Sequence, residues 1–162
     1  MPSSDQKIPV VIRRFVECAT TFFYVGYLPL APGSMASAAG AGLAFLLKDQ
    51  PFWYGIVFVV VTWIGFKASG IMEGFCRRKD PGCIVIDEVS GVMLAFMALP
   101  WRIDVFWATY FLFRAFDMFK IYPANRFEKI PGGTGIMMDD IMAGIYTNIV
   151  MQIAVRLAGI GG

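Results

Sequence analysis

The chain has 162 residues and a formal net charge of only +2; 57 % of its residues are hydrophobic and 16 % charged, with a mean hydropathy of +0.63. A soluble domain carries roughly 45–50 % apolar and about 25 % charged residues, so the composition predicts a membrane protein of one domain. The small charge and the lack of a long basic run exclude nucleic acid as a partner. Histidine is absent, which excludes any mechanism needing imidazole as base, nucleophile or ligand. Cys18, Cys76 and Cys83 are odd in number and lack metal-ligand spacing, so neither a disulfide framework nor a cysteine metal site is expected. No removable signal peptide is expected at the N-terminus.

Taken in chain order, the pattern predicts a helix or interfacial segment over about residues 10–28. A Pro-Leu-Ala-Pro-Gly-Ser loop follows, then a small-residue helix over 35–47. That helix is shorter than the roughly 17–25 residues of an ordinary span, which suits a tilted or re-entrant element. Residues 52–72, with Lys67 as their single charge, form the best conventional span. Segments 84–99, 103–119 and 137–158 are three further apolar helices. The expected fold is therefore all-α, an integral-membrane bundle of about four to five hydrophobic helices with the first one short or re-entrant. Placing Arg13, Arg14, Arg77, Arg78, Lys79 and the 120–135 loop on the cytoplasmic side leaves Lys48, Arg102 and Arg156 opposite. This follows the positive-inside bias and collects the unusual polar groups of four segments at one leaflet.

Those groups carry the chemistry. Asp87-Glu88 and Asp139-Asp140 each open an apolar run. Adjacent ionised carboxylates repel one another and resist desolvation, and a divalent cation is the simplest compensation. Helix capping is the other role open to them. Arg114, Asp117 and Lys120 are spaced by three along one helical stripe. The stripe serves either as a salt-bridged helix end or as a site in which Asp117 joins the metal shell while Arg114 and Lys120 hold an anion. The glycine-rich turn at 131–135 offers backbone N–H groups, Gly133 among them, to an anion. Gly33 and Ser34 form a similar but weaker turn, in which Ser34 is either an N-cap or a phosphate contact. Gly91 and Gly144 each lie four residues after an acid and permit close helix packing. The sequence lacks a cysteine-phosphatase loop and an Asp-x-Asp acceptor motif, which leaves carboxylates, metal, Arg/Lys and water for any phosphoryl transfer.

Four motifs, Ala-Pro-Gly-Ser-Met-Ala-Ser at 31–37, Ile-Val-Ile-Asp-Glu-Val-Ser-Gly at 84–91, Phe-Arg-Ala-Phe-Asp-Met-Phe-Lys at 113–120 and Pro-Gly-Gly-Thr-Gly-Ile-Met-Met-Asp-Asp-Ile-Met-Ala-Gly at 131–144, resemble phosphatidylglycerophosphatase A, a family of bacterial inner-membrane lipid phosphatases. Ile121 replaces the family's usual proline and Ala36 its frequent glycine; neither change removes a chemical group. The resemblance implies a single membrane-embedded phosphatase domain over 1–162, with about 1–28 outside the motifs. It implies Mg²⁺-dependent conversion of phosphatidylglycerophosphate into phosphatidylglycerol and phosphate, at the cytoplasmic face of the inner membrane in a multi-pass protein. Asp87, Glu88, Asp139 and Asp140 are the expected catalytic residues. Glu88, Asp117, Asp139 and Asp140 are the expected metal ligands, and Gly33, Ser34, Arg114, Lys120 and Gly133 the expected substrate contacts. A small cation transporter or channel built on intramembrane carboxylates is the rival expectation. The oligomeric state is not readable from the sequence.

Overall fold

The computed structural model describes residues 9–78, 81–119, 122 and 130–160, and every regular element among them is helical. In chain order these are α1 (Val10–Thr20), a 3₁₀ turn (Val25–Tyr27), α2 (Pro32–Leu46), α3 (Pro51–Cys76), α4 (Ile86–Phe96), α5 (Ile103–Phe119) and α6 (Gly133–Leu157). The architecture places α4 at the centre, in contact with α2, α3, α5 and α6, while α1 lies against α3. Nine of the eleven residues of α4 are buried.

Small residues make this centre possible. A Cβ on Gly91 would lie 2.6 Å from the Asp140 carbonyl oxygen, and one on Gly144 would overlap the Gly91 carbonyl. The backbones of α4 and α6 therefore touch, as small residues at helix crossings allow. On the other side of α4, a Cβ on Gly40 of α2 would sit 3.0 Å from the Val89 backbone. The large apolar residues lie instead on the outside: Phe52, Trp53, Val59 and Trp63 of α3, Ile103, Trp107 and Phe111 of α5, and Ile149, Val150 and Ile153 of α6 are exposed.

At about 16 Å, α4 is only half as long as a membrane-crossing helix, and its end carbonyls need partners inside the protein. Asn148 Nδ2 donates to the Ala95 carbonyl at 3.1 Å and to the Met97 carbonyl at 2.7 Å. Gln152 Nε2 donates to the Ala98 carbonyl at 3.0 Å, and the Tyr54 hydroxyl donates to the Met93 carbonyl. At its other end the Val85 N–H donates to Thr20 O at 2.9 Å, which ties the end of α1 to the start of α4.

Several boundaries differ from those expected. The predicted 10–28 segment is α-helical only to Thr20. Phe22, Phe23 and Tyr24 then take positive φ angles of 44°, 55° and 69°, incompatible with a continuing helix. Helix α2 starts three residues early, at Pro32, where proline's fixed φ suits a first position; its N-cap is Ala31, so Ser34 is not the cap. The segment expected at 84–99 shortens to Ile86–Phe96. Helix α6 begins at Gly133, so the expected glycine loop is its first turn, and Asp139 and Asp140 lie in its second turn. Among the described residues, α3 is the one helix long and apolar enough to cross a membrane by length and composition.

Because Asn148 satisfies two main-chain acceptors, Asn148→Leu is expected to destabilise the fold by about 2 kcal/mol, the cost of stranding buried polar groups. Denaturant titration of detergent-solubilised protein, followed by tryptophan fluorescence, measures this.

Candidate active site

The α4–α6 contact sets the site. One residue turn before Gly91, the first turn of α4 carries Asp87 and Glu88, and Asp140 is the residue whose carbonyl faces Gly91. As a result one oxygen each from Asp87, Glu88 and Asp140 lies within 4.8 Å of the others. Asp87 and Asp140 are buried, 8 % and 3 % exposed, and Glu88 is half-buried. Asp87 Oδ1 and Glu88 Oε2 are buried oxygens with no hydrogen-bond partner.

Helices α2 and α5 supply the other walls. Gly33, in the first turn of α2, lies against the Glu88 carboxylate: a Cβ there would overlap Glu88 Oε1 and come within 3.6 Å of Arg114 Nη1. Arg114 Nη1 donates to Asp117 Oδ2 at 2.6 Å and to Ser37 Oγ at 3.3 Å. Asp117 also neighbours Asp140, which places the α5 pair beside the carboxylate cluster. The Tyr110 hydroxyl donates to Ser34 O at 2.9 Å and fixes α5 against the start of α2.

The expected site residues thus fall into three groups. Asp87, Glu88, Asp117 and Asp140 come together with Arg114 and Gly33. Asp139 is buried beside them, and its Oδ1 accepts the Asp140 N–H at 3.1 Å. Ser34 adjoins the site through its carbonyl. Gly133 has a packing role: a Cβ there would overlap Phe66 O of α3. The glycine turn expected to receive an anion already holds one of the protein's own, since Gly132 N–H donates to Glu73 Oε2 at 2.8 Å. Lys120 lies outside the described residues. Since neither Asp139 nor Asp140 is in the first turn of α6, capping does not account for them. Asp117 is salt-bridged to Arg114, the helix-end pairing expected of its stripe.

Sequence reasoning missed Ser37 and Glu73. Ser37 lies one turn after Gly33, on the same helix face, and that spacing marks it as a neighbour of any group Gly33 admits. Glu73 is signalled by an acid near the end of an otherwise apolar helix.

The donor set is all oxygen, buried, mostly anionic and partly unpartnered. It fits a hard divalent cation, held by Asp87, Glu88 and Asp140. Asp117 and Asp139 adjoin it, Asp139 through the bond from the Asp140 backbone N–H. Without a cation the carboxylates oppose one another. Asp87→Asn is therefore expected to raise the thermal midpoint of chelator-treated protein by roughly 2–4 °C, equivalent to about 1 kcal/mol, while reducing the stabilisation that added Mg²⁺ gives the parent chain. Thermal unfolding with and without Mg²⁺ reads both effects.

Comparison with known proteins agrees with these elements. A family model described as Phosphatidylglycerophosphatase A matches residues 18–155. A Bacteroides thetaiotaomicron protein provisionally named a phosphatidylinositol-3-phosphatase is 36 % identical over 143 residues, covering 83 % of this chain and 89 % of the relative. The Escherichia coli K12 protein named Phosphatidylglycerophosphatase A is 35 % identical over 129 residues, 77 % of this chain and 74 % of its own. Its Haemophilus influenzae namesake is 34 % identical over 141 residues, 80 % and 82 % of the two chains. No solved structure matches.

Proposed function

Given that the chain belongs to the phosphatidylglycerophosphatase A family, we propose that it is a Mg²⁺-dependent lipid phosphatase that hydrolyses the terminal phosphomonoester of phosphatidylglycerophosphate to phosphatidylglycerol and phosphate. The observation that carries the reading is the buried trio Asp87, Glu88 and Asp140 with its two unpartnered oxygens, walled by Gly33 and Arg114. Family membership sets aside the cation-transporter reading.

Asp87, Glu88 and Asp140 would hold Mg²⁺. When bound, it supplies charge neutralisation at the phosphoryl oxygens and lowers the pKa of a coordinated water. The chain's own groups do the rest. Arg114 presents a planar, permanently charged fork to the phosphate, and Asp117 and Ser37 fix the orientation of that fork. Gly33 keeps the wall beside Glu88 free of side-chain bulk, so a tetrahedral phosphate reaches the carboxylates. Attack by water and attack by an aspartate through an aspartyl-phosphate are separated by single-turnover hydrolysis in ¹⁸O-water combined with phosphoenzyme trapping.

The proposed setting is the bacterial cytoplasmic membrane, with the chain crossing it more than once and the site toward the cytoplasm. Support comes from the outward-facing Trp, Phe, Ile and Val residues of α3, α5 and α6, from the internal satisfaction of the α4 carbonyls, and from the arginines at the ends of α1 and α3. Exposed apolar surface of this extent has lipid as its natural solvent. Helix α1, with Val10, Val11, Ile12 and Phe15 exposed beside Arg13 and Arg14, suits the membrane–water boundary. A site at that boundary processes a headgroup while the acyl chains stay in lipid.

Asp140→Asn is expected to lower phosphate release from phosphatidylglycerophosphate by at least about 10³-fold, on the scale of deleting a principal electrostatic contributor, with far-UV circular dichroism unchanged. A purified Asp140→Asn protein turning over at the parental rate would overturn the assignment. Since curated relatives carry two different lipid names, the assay uses a panel of phosphatidylglycerophosphate, phosphatidylinositol 3-phosphate and phosphatidic acid, each with Mg²⁺ and with chelator. Preference for the first, lost on chelation, is the expected outcome.

A further inference from the structure

The first turn of α4, which carries Asp87 and Glu88, has no side-chain cap at its N-terminus. Uncapped helix ends fray, and fraying here would carry both acids away from Asp140. The turn is held instead by main chain that lies before the first of the four motifs. Val85 N–H, two residues ahead of Asp87, donates to Thr20 O at 2.9 Å. A Cβ on Gly26 would overlap the Cys83 carbonyl oxygen and lie 3.3 Å from Thr21 Cα. The entry to α4 is thus pressed against the turn that joins α1 to α2, with no room for one more methyl group. Thr20, Thr21, Ile84, Val85 and Ile86 are all buried.

Several contacts fix the shape of that turn. Phe22, Phe23 and Tyr24 hold positive φ angles, which non-glycine residues keep only where their surroundings over-determine them. Thr21 Oγ1 accepts the Tyr24 N–H at 3.0 Å and donates to Glu17 O at 2.7 Å. Gly26 N–H donates to Thr21 O at 2.9 Å, and the Tyr27 hydroxyl donates to Glu17 Oε1 at 2.6 Å, which fastens the turn to α1. Phe22 and Val25 pack on the core that includes Val85 and Val89. The 3₁₀ turn also contacts α2, the helix that brings Gly33 to Glu88.

We propose that this turn is a positioning element of the carboxylate site, with Gly26 and Thr21 as its positioning residues. It seats residues 83–85 and so fixes where Asp87 and Glu88 stand relative to Asp140. Both residues act through the main chain that enters α4. The proposal rests on the cation reading of Asp87, Glu88 and Asp140, and gives the segment before the first motif a part in that site. Mg²⁺ demands near-ideal ligand geometry, so a small displacement at Cys83–Val85 is felt as lost affinity.

The test is Mn²⁺ binding to the full-length chain in detergent without substrate, read from the electron paramagnetic resonance signal of the free ion. Mn²⁺ stands in for Mg²⁺ at an all-oxygen site. Gly26→Ala is expected to raise the Mn²⁺ Kd about 10-fold, the scale on which loss of ligand orientation acts. Thr21→Val, similar in size, removes the contact with Tyr24 N–H and is expected to raise it about 3-fold, the low end of one hydrogen bond's contribution. Thr21→Ser keeps the hydroxyl and should bind as the parent does. Asn148→Leu, which strands carbonyls at the opposite end of α4, is the stability control and should also keep the parental Kd. Parental affinity in Thr21→Val and in folded Gly26→Ala overturns the positioning role, as does equal weakening in Asn148→Leu. If Gly26→Ala does not fold, the Thr21 pair decides. A parent chain that binds no Mn²⁺ would instead sink the cation reading, and the positioning role with it.

Discussion

Everything in this molecule depends on the backbone contact between α4 and α6 at Gly91 and Gly144. A side chain at either position would overlap the facing backbone and push the two helices apart. With glycine at both, the first turn of α4 and the second turn of α6 share one small volume, and carboxylates distant in sequence become neighbours. The spacing of the acids is thus set by main-chain packing rather than by flexible side-chain rotamers. That is the rigid support a cation or phosphate site needs.

The second constraint is the shortness of α4. A buried helix of eleven residues brings its terminal carbonyls into the interior, where they need donors. Asn148 and Gln152 of α6 and Tyr54 of α3 provide them. These residues sit at the opposite end of α4 from the acids, so one helix has an acidic end and a polar end that anchors it. Between the two ends lie Val89, Val92, Met93 and Phe96, all but fully buried. The surrounding bundle inverts the usual arrangement, with glycine, alanine and serine at helix contacts and aromatic and branched residues facing outward.

Much of this was legible in the sequence. Paired acids opening apolar runs announced the cluster, the glycines four residues later announced the close crossing, and the resemblance to a phosphatase family rested on those same residues. The boundaries were less legible. Hydropathy does not register the left-handed backbone at Phe22, Phe23 and Tyr24, so residues 10–28 were read as one segment. Nor does it separate a glycine loop from a glycine-rich helical turn packed on another backbone, so the start of α6 was read as an anion cradle. Glu73 occupies that turn, and a contact spanning 59 residues has no local signature. Ser37 was passed over because its role depends on an arginine from α5. The acids were found by their cost in isolation; their orienting partners become visible only when the helices are assembled.

The Arg114–Asp117 pair has a consequence for the order of events. Arg114 is the guanidinium bonded within the cluster, and it is already engaged by a carboxylate. Around it stand Asp87, Glu88, Asp139 and Asp140, so a single guanidinium faces several acidic groups. On the proposed function, the cation would arrive before the phosphate or together with it. The charge balance of the proposed site would then act as an interlock, admitting substrate only once the cation has been loaded.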